Sequence, residues 1–243
     1  MGRTAAGRVI LSVVLLALVA VAAGCRPAAP PPPPPSVIVY GDSLTTQSYD
    51  NIAAGLARPG WETIIRQYPG TALCDWLAQM NADGNLNARL VVMEFAGNML
   101  TSCTQGRGEL ADVYQQDSTT AADLWQSRGV RVLWVSPPGA QGTTGPAPLT
   151  AIDQSVASQH GQSFVDAGAT LQAPDGTWPL ALPCLSFEIT DGFCNSDGTI
   201  HVRTSATNNH LCPVDSGLSP CPVYSSGVFR WSGAMINAAR ELY

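Results

Sequence analysis

Charge is scarce in this chain. Only 12% of its 243 residues are Asp, Glu, Lys or Arg, and the net charge of −6 is spread without long runs of one sign. Binding to nucleic acid needs a clustered basic face, so that class of partner is excluded. Histidine is scarcer still, with three scattered residues and no Cys-x-x-Cys pair beside them; a zinc site is excluded on that spacing. Long apolar runs are also lacking. The longest, residues 9–23, is too short for a comfortable membrane span.

What precedes and follows that run is informative. Arg3 and Arg8 give it a basic start and it ends in small residues, the three-part layout of a secretory signal peptide. The junction Ala22-Ala23-Gly24-Cys25 resembles a bacterial lipoprotein cleavage box, with Ala22 where Leu is usual. The resemblance implies that residues 1–25 are a signal ending at a lipidated Cys25; ordinary secretion is the alternative. Several acyl chains would hold the protein at the membrane, since each buried methylene contributes about 0.8 kcal/mol. Residues 26–36 then form a linker around an unbroken run from Pro30 to Pro35. This reads as a polyproline II spacer of about 3.1 Å per residue. The domain is residues 37–243, on the outer face of the cytoplasmic membrane if lipidated and secreted otherwise.

Cysteine use agrees with export. Apart from Cys25 there are six, an even number suited to an oxidising compartment. Sequence alone cannot select among their pairings. Chain order favours Cys74 with Cys103, Cys184 with Cys194, and Cys212 with Cys221.

Strand and helix signals alternate through the domain. Residues 37–40, 61–68, 89–95 and 130–135 read as strands, and 164–166 as a short fifth; 46–57, 72–80, 110–128 and 149–159 read as helices. Such alternation predicts about five parallel strands joined by right-handed crossovers, in a flavodoxin-like three-layer α/β/α sandwich. A last helix, about 228–242, carries Phe229, Met235, Ile236 and Leu242 at near-helical spacing and reads as packing. Residues 174–222 break the pattern. Rich in Gly, Pro, Asn, Ser and four cysteines, they read as an irregular region held by disulfides rather than by a core.

Three short motifs fall at strand ends: Tyr40-Gly41-Asp42-Ser43-Leu44, Tyr68-Pro69-Gly70-Thr71 and Phe95-Ala96-Gly97-Asn98. In a parallel sheet the carboxyl ends of strands share one edge, where open α/β sheets keep their ligands. The set resembles the SGNH or GDSL hydrolase superfamily, as an exported member of actinobacterial type, and the resemblance covers essentially residues 37–243. It implies Ser43 as nucleophile, with the Ser43 amide, the Gly70 amide and the Asn98 side chain as oxyanion hole. Preorganised N–H donors are what a tetrahedral acyl intermediate needs, and removing one typically costs about a hundredfold to a thousandfold in rate. A Cys74–Cys103 disulfide would brace the two hole loops.

The family's histidine lies late in the chain, three residues after an Asp. Two residues compete for that place. His201 follows Asp197 one residue too far away, in Asp197-Gly198-Thr199-Ile200-His201, whereas His210-Leu211-Cys212-Pro213 resembles the run that follows the family's His. His210 is preferred, with His201 as alternative; His160 comes too early. Thr207 then stands where the family has its carboxylate. A backbone carbonyl orienting the ring, a carboxylate from Asp197, Asp191 or Asp215, or a weakened enzyme are the explanations left open. Asp42 is expected to hydrogen-bond nearby backbone instead.

The resemblance implies an exported serine hydrolase that cleaves carboxylic esters through an acyl-serine. No metal or organic cofactor is called for, and a monomer is expected. The ester is a small molecule, a lipid or an acylated glycan. An O-acetyltransferase or acetylesterase acting on envelope polysaccharide is the nearest alternative. A surface binding module that has lost activity is a third, supported only by Thr207.

Overall fold

The structure, a computed structural model, describes residues 31–204, 210–214 and 219–243. The signal segment and Cys25 lie outside them. Pro34–Tyr243 form one unit and Met1–Pro33 another, and only the former is described below. Among the described residues no helix is long and apolar enough to cross a membrane.

The central sheet has five parallel strands: β1 (Ser36–Gly41), β2 (Glu62–Gln67), β3 (Ala88–Glu94), β4 (Arg131–Val135) and β5 (Ser163–Val165), in the order β2-β1-β3-β4-β5. This is the flavodoxin-like order, and its switch point lies between β1 and β3. Successive side chains of a strand point to opposite faces. Val37 and Val39 of β1, Leu90 and Val92 of β3 and Leu133 and Val135 of β4 thus enter one core, with Ile52, Leu56, Trp231 and Met235. Ile38 and Tyr40, Val91 and Met93, Val132 and Trp134 enter a second core on the other face, with Leu73, Met80, Tyr114, Trp125 and Val156. Both faces being apolar is why these strands read as continuous hydrophobic runs. Each such side chain stabilises the fold by about 1.5–3 kcal/mol when fully buried.

The helices are α1 (Ser43–Gln47), α2 (Tyr49–Leu56), α3 (Leu73–Ala82), α4 (Leu110–Ser127), α5 (Thr150–Gln159), α6 (Ser186–Thr190) and α7 (Ser226–Arg240). Two of them cover the first core, α2 and α7; α3, α4 and α5 cover the second. On α4 the buried residues Val113, Tyr114, Asp117, Ser118, Ala121, Ala122 and Trp125 recur at helical spacing and form one stripe.

Three expectations need correction. Residues 46–57 are not one helix: α1 begins at Ser43, and the chain bends at Ser48, which ends α1 and starts α2. Phe229 is 43% exposed and packs on Phe187, ring centres 4.9 Å apart, rather than on the sheet; Trp231 is the aromatic that α7 buries. Residues 174–222 are not coreless. They include α6 and an antiparallel ribbon of β6 (Ala181–Pro183) and β7 (Thr199–His201), and Trp178, Leu182, Val202 and Leu211 join the first core. Three disulfides are present: Cys74–Cys103, Cys184–Cys194 and Cys212–Cys221, the pairs that chain order favours.

Candidate active site

The carboxyl ends of β1 and β3 are tied together through one buried side chain, Asp42. It caps α1 by accepting from Leu44 N at 3.1 Å, and its other oxygen accepts from Ala96 N at 2.7 Å and Asn98 Nδ2 at 2.8 Å. The expectation that Asp42 serves nearby backbone holds for Leu44 N and Ala96 N, and the bond from Asn98 Nδ2 is additional. Asn98 Nδ2 also donates to the Thr71 carbonyl at 2.9 Å, so one amide joins all three strand ends. Ser43 is the first residue of α1, half-buried, and its Oγ has no hydrogen-bond partner among the described residues.

Gly41 has a steric reason to be glycine. A Cβ there would lie 1.9 Å from Thr45 Oγ1 and 2.9 Å from Glu94 Oε2. The backbone must pass this close for the turn to lift Ser43 onto the sheet edge. Gly70 has a conformational reason. Tyr68-Pro69-Gly70-Thr71 is a turn closed by Thr71 N to Tyr68 O at 3.3 Å, with Gly70 at φ 79°, the position that a type II turn reserves for Gly. The Gly70 N–H has no partner among the described residues and is exposed. Beyond it, Trp76 Nε1 holds Thr71 Oγ1 at 3.0 Å and Asp75 accepts from Ala72 N at 2.8 Å. Tyr114 donates to the Asn98 carbonyl at 3.1 Å, and Cys74–Cys103 joins the start of α3 to the segment after Asn98.

Directly beneath the turn lies Glu94, fully buried, with Oε2 accepting from Thr45 Oγ1 at 2.7 Å and Oε1 without a partner. Burial pushes its carboxyl well up, and the charge of Asp42 pushes it further. Asp42 is itself pushed up to about 6 by burial, against the opposing pull of its donors Ala96, Leu44, Ser43 and Asn98. Glu94 too has opposing donors, the Thr45 hydroxyl and the backbone N–H groups of Asp42 and Thr45. Burial thus holds both carboxyls toward their protonated forms, and the charge of either one disfavours ionisation of the other. Sequence reasoning did not single out Glu94, although an acid inside the run Leu90-Val91-Val92-Met93-Glu94-Phe95 was a visible signal.

The histidine candidates are placed differently. His210 is half-buried, and its carbonyl accepts from Thr204 N at 3.3 Å. The next residue, Leu211, donates its N–H to Gln47 Oε1 at 2.7 Å, which seats the segment against α1, the helix that begins with Ser43. His201 is exposed at the end of β7. Asp197 spends its carboxylate on its own turn, accepting from Thr199 N at 3.0 Å and Thr199 Oγ1 at 2.7 Å, which lowers its pKa. Asp191 is exposed at the end of α6. Thr207 and Asp215 lie outside the described residues. His160, which precedes β5, is at the opposite edge of the sheet from Ser43, with its ring on Val156 O and Asp123.

Three solved structures share this architecture. A GDSL-like lipase from Bacteroides thetaiotaomicron matches with a TM-score of 0.50 and 15% identity, over 92% of this chain and 93% of its own. A Bacteroides fragilis protein assigned as an acylhydrolase matches at 0.53 and 18%, over 87% and 89%. The Bacillus subtilis protein YxiM matches at 0.55 and 10%; the match covers 87% of this chain and 57% of that longer one. No protein-family model matches the sequence, and no curated protein matches it. At these identities the likeness is one of fold.

Proposed function

We propose that this chain, which has the SGNH/GDSL hydrolase fold, is an exported serine hydrolase that cleaves carboxylic esters through an acyl-Ser43 intermediate. One observation carries the reading. Asp42 gathers the ends of β1 and β3, Asn98 extends the link to the loop of Gly70, and Ser43 stands at that junction with its hydroxyl uncommitted.

In this reading Ser43 Oγ attacks the ester carbonyl and His210 takes its proton, later returning it to the leaving alcohol. Negative charge develops on the former carbonyl oxygen and is met by the amides of Ser43 and Gly70 and by Asn98 Nδ2. Gly70 N–H has no competing acceptor among the described residues. Asn98 has two, and it must turn one hydrogen from Thr71 O toward the oxyanion. That exchange replaces a neutral acceptor by a charged one, which makes the new bond roughly twice as strong. Asp42 keeps the other hydrogen and so holds the amide plane in place.

Export and anchoring rest on residues 1–25 and on the disulfides. Labelling by a fluorophosphonate probe tests the chemistry: the unsubstituted protein is expected to label and Ser43→Ala is not. Labelling that does not depend on Ser43 sinks the reading. Metabolic labelling with an alkyne fatty acid, lost in Cys25→Ala, tests the anchor.

A further inference from the structure

Gln47 ends α1, four residues and about one helical turn beyond Ser43, and is 3% exposed. Besides Leu211 N on its Oε1 at 2.7 Å, its backbone carbonyl accepts from Cys221 N at 3.2 Å. Leu211 and Cys221 are the two stems of one loop, and Cys212–Cys221 joins those stems covalently. A single residue on the nucleophile's helix therefore holds both stems. The side facing away from α1 is fixed as well. Leu211 O accepts from Ser225 Oγ at 2.6 Å, and the same Oγ caps α7 by accepting from Val228 N at 3.1 Å. Leu211 is itself fully buried.

We propose that Gln47 is a positioning residue for the reaction: by seating both stems of the loop that begins at His210 on the helix that begins at Ser43, it sets the distance from base to nucleophile. The proposal rests on the assignment of Ser43 and His210 above. It gives the chain a way to hold its base through the main chain when the carboxylate three residues before His210 is replaced by Thr207. A fixed backbone narrows where the ring can go whatever the ring itself contacts.

The test uses the full chain, p-nitrophenyl acetate and the fluorophosphonate probe. Gln47→Leu keeps the side-chain volume and removes the acceptor for Leu211 N; Gln47→Glu keeps an acceptor oxygen. A misplacement of about 1 Å costs on the order of a hundredfold in rate. Gln47→Leu is therefore expected to lower kcat by about ten- to a hundredfold with KM unchanged, to slow labelling in parallel, and to be rescued in Gln47→Glu. If Gln47→Leu does not fold by circular dichroism, Gln47→Asn, which withdraws the acceptor by one methylene, stands in for it with the same expectation. An unchanged kcat in whichever of these folds overturns the proposal. So does an equal loss in Gln47→Glu, because a role confined to structure would not follow the acceptor. Failure of the unsubstituted protein to label at Ser43 overturns the parent reading and this one with it, and it is seen before any Gln47 variant is compared.

Discussion

Glu94→Gln should change how stability depends on pH more than it changes stability itself. The amide copies the shape of the carboxyl but cannot ionise, and at this position the carboxyl is fully buried, bonded to Thr45 and left with one oxygen unpartnered beside Asp42. Folding raises the Glu94 pKa above its unfolded value, first by burial and then through Asp42. The folded state thus binds that proton more tightly than the unfolded chain does. The associated stability is fully present below the unfolded pKa of about 4.3 and is lost as pH rises toward the folded pKa, at about 1.4 kcal/mol per pH unit for one proton. Asp42 has the same sign: raised from 3.8 to about 6, it accounts for a loss of about 3 kcal/mol that is complete near pH 6.

Glu94 adds a loss of the same sign to that of Asp42 as pH rises. Urea unfolding across pH 5 to 8 should show the unsubstituted protein losing more stability with rising pH than Glu94→Gln does. In acid the variant should be the weaker of the two, because its new NH2 group lacks a second acceptor, at a cost of about 1–3 kcal/mol. The two curves should therefore converge with rising pH. Parallel curves would show that the folded state does not hold the Glu94 proton more tightly than the unfolded chain and would refute the reasoning from burial.

Gly41→Ala places a methyl 1.9 Å from Thr45 Oγ1, and a thermal melt should show a loss of about 1–3 kcal/mol or more, accompanied by loss of Ser43 labelling. Asn98→Ala should lower kcat on p-nitrophenyl acetate by about a hundredfold to a thousandfold; a smaller drop would mean that its amide stays on Thr71 O during the reaction. Breaking Cys74–Cys103, whose sequence separation is 29, by replacing both with Ser should cost about 3–4 kcal/mol in denaturant unfolding on the chain-entropy account. Tyr68 and Leu100 are 59% and 92% exposed, each two residues from a proposed hole residue. Replacing both by Ser should lower kcat/KM for longer p-nitrophenyl acyl esters more than for acetate, and an equal effect would remove them from the acyl site.

The parts of this fold that the sequence made legible are those whose cause is local. Val37-Ile38-Val39-Tyr40 had to be a strand with both faces buried, Gly41 stands where the backbone passes too close for a Cβ, and Gly70 stands at a turn whose positive φ favours glycine. The bend at Ser48 carried no such mark, since neither Gly nor Pro stands there. Residues 174–222 misled for a related reason: their few apolar side chains are far apart in sequence, and only the folded chain brings Trp178, Leu182, Val202 and Leu211 into the sheet's core.

The same distinction explains why the proposed nucleophile was easier to read than its proposed base. Ser43 is positioned by neighbours on its own turn and on the next strand ends. The His210 segment is positioned by a bond between Gln47 and Leu211 that spans 164 residues, and no pattern within either segment announces it. A loop bound in this way owes its placement to a donor and an acceptor that can each be removed singly. A carboxylate absent from the place where the family keeps it therefore does not by itself remove the base. The discriminating quantity is kcat in Gln47→Leu compared with Gln47→Glu: if main-chain seating does substitute for the lost acid, restoring only an acceptor oxygen restores the rate.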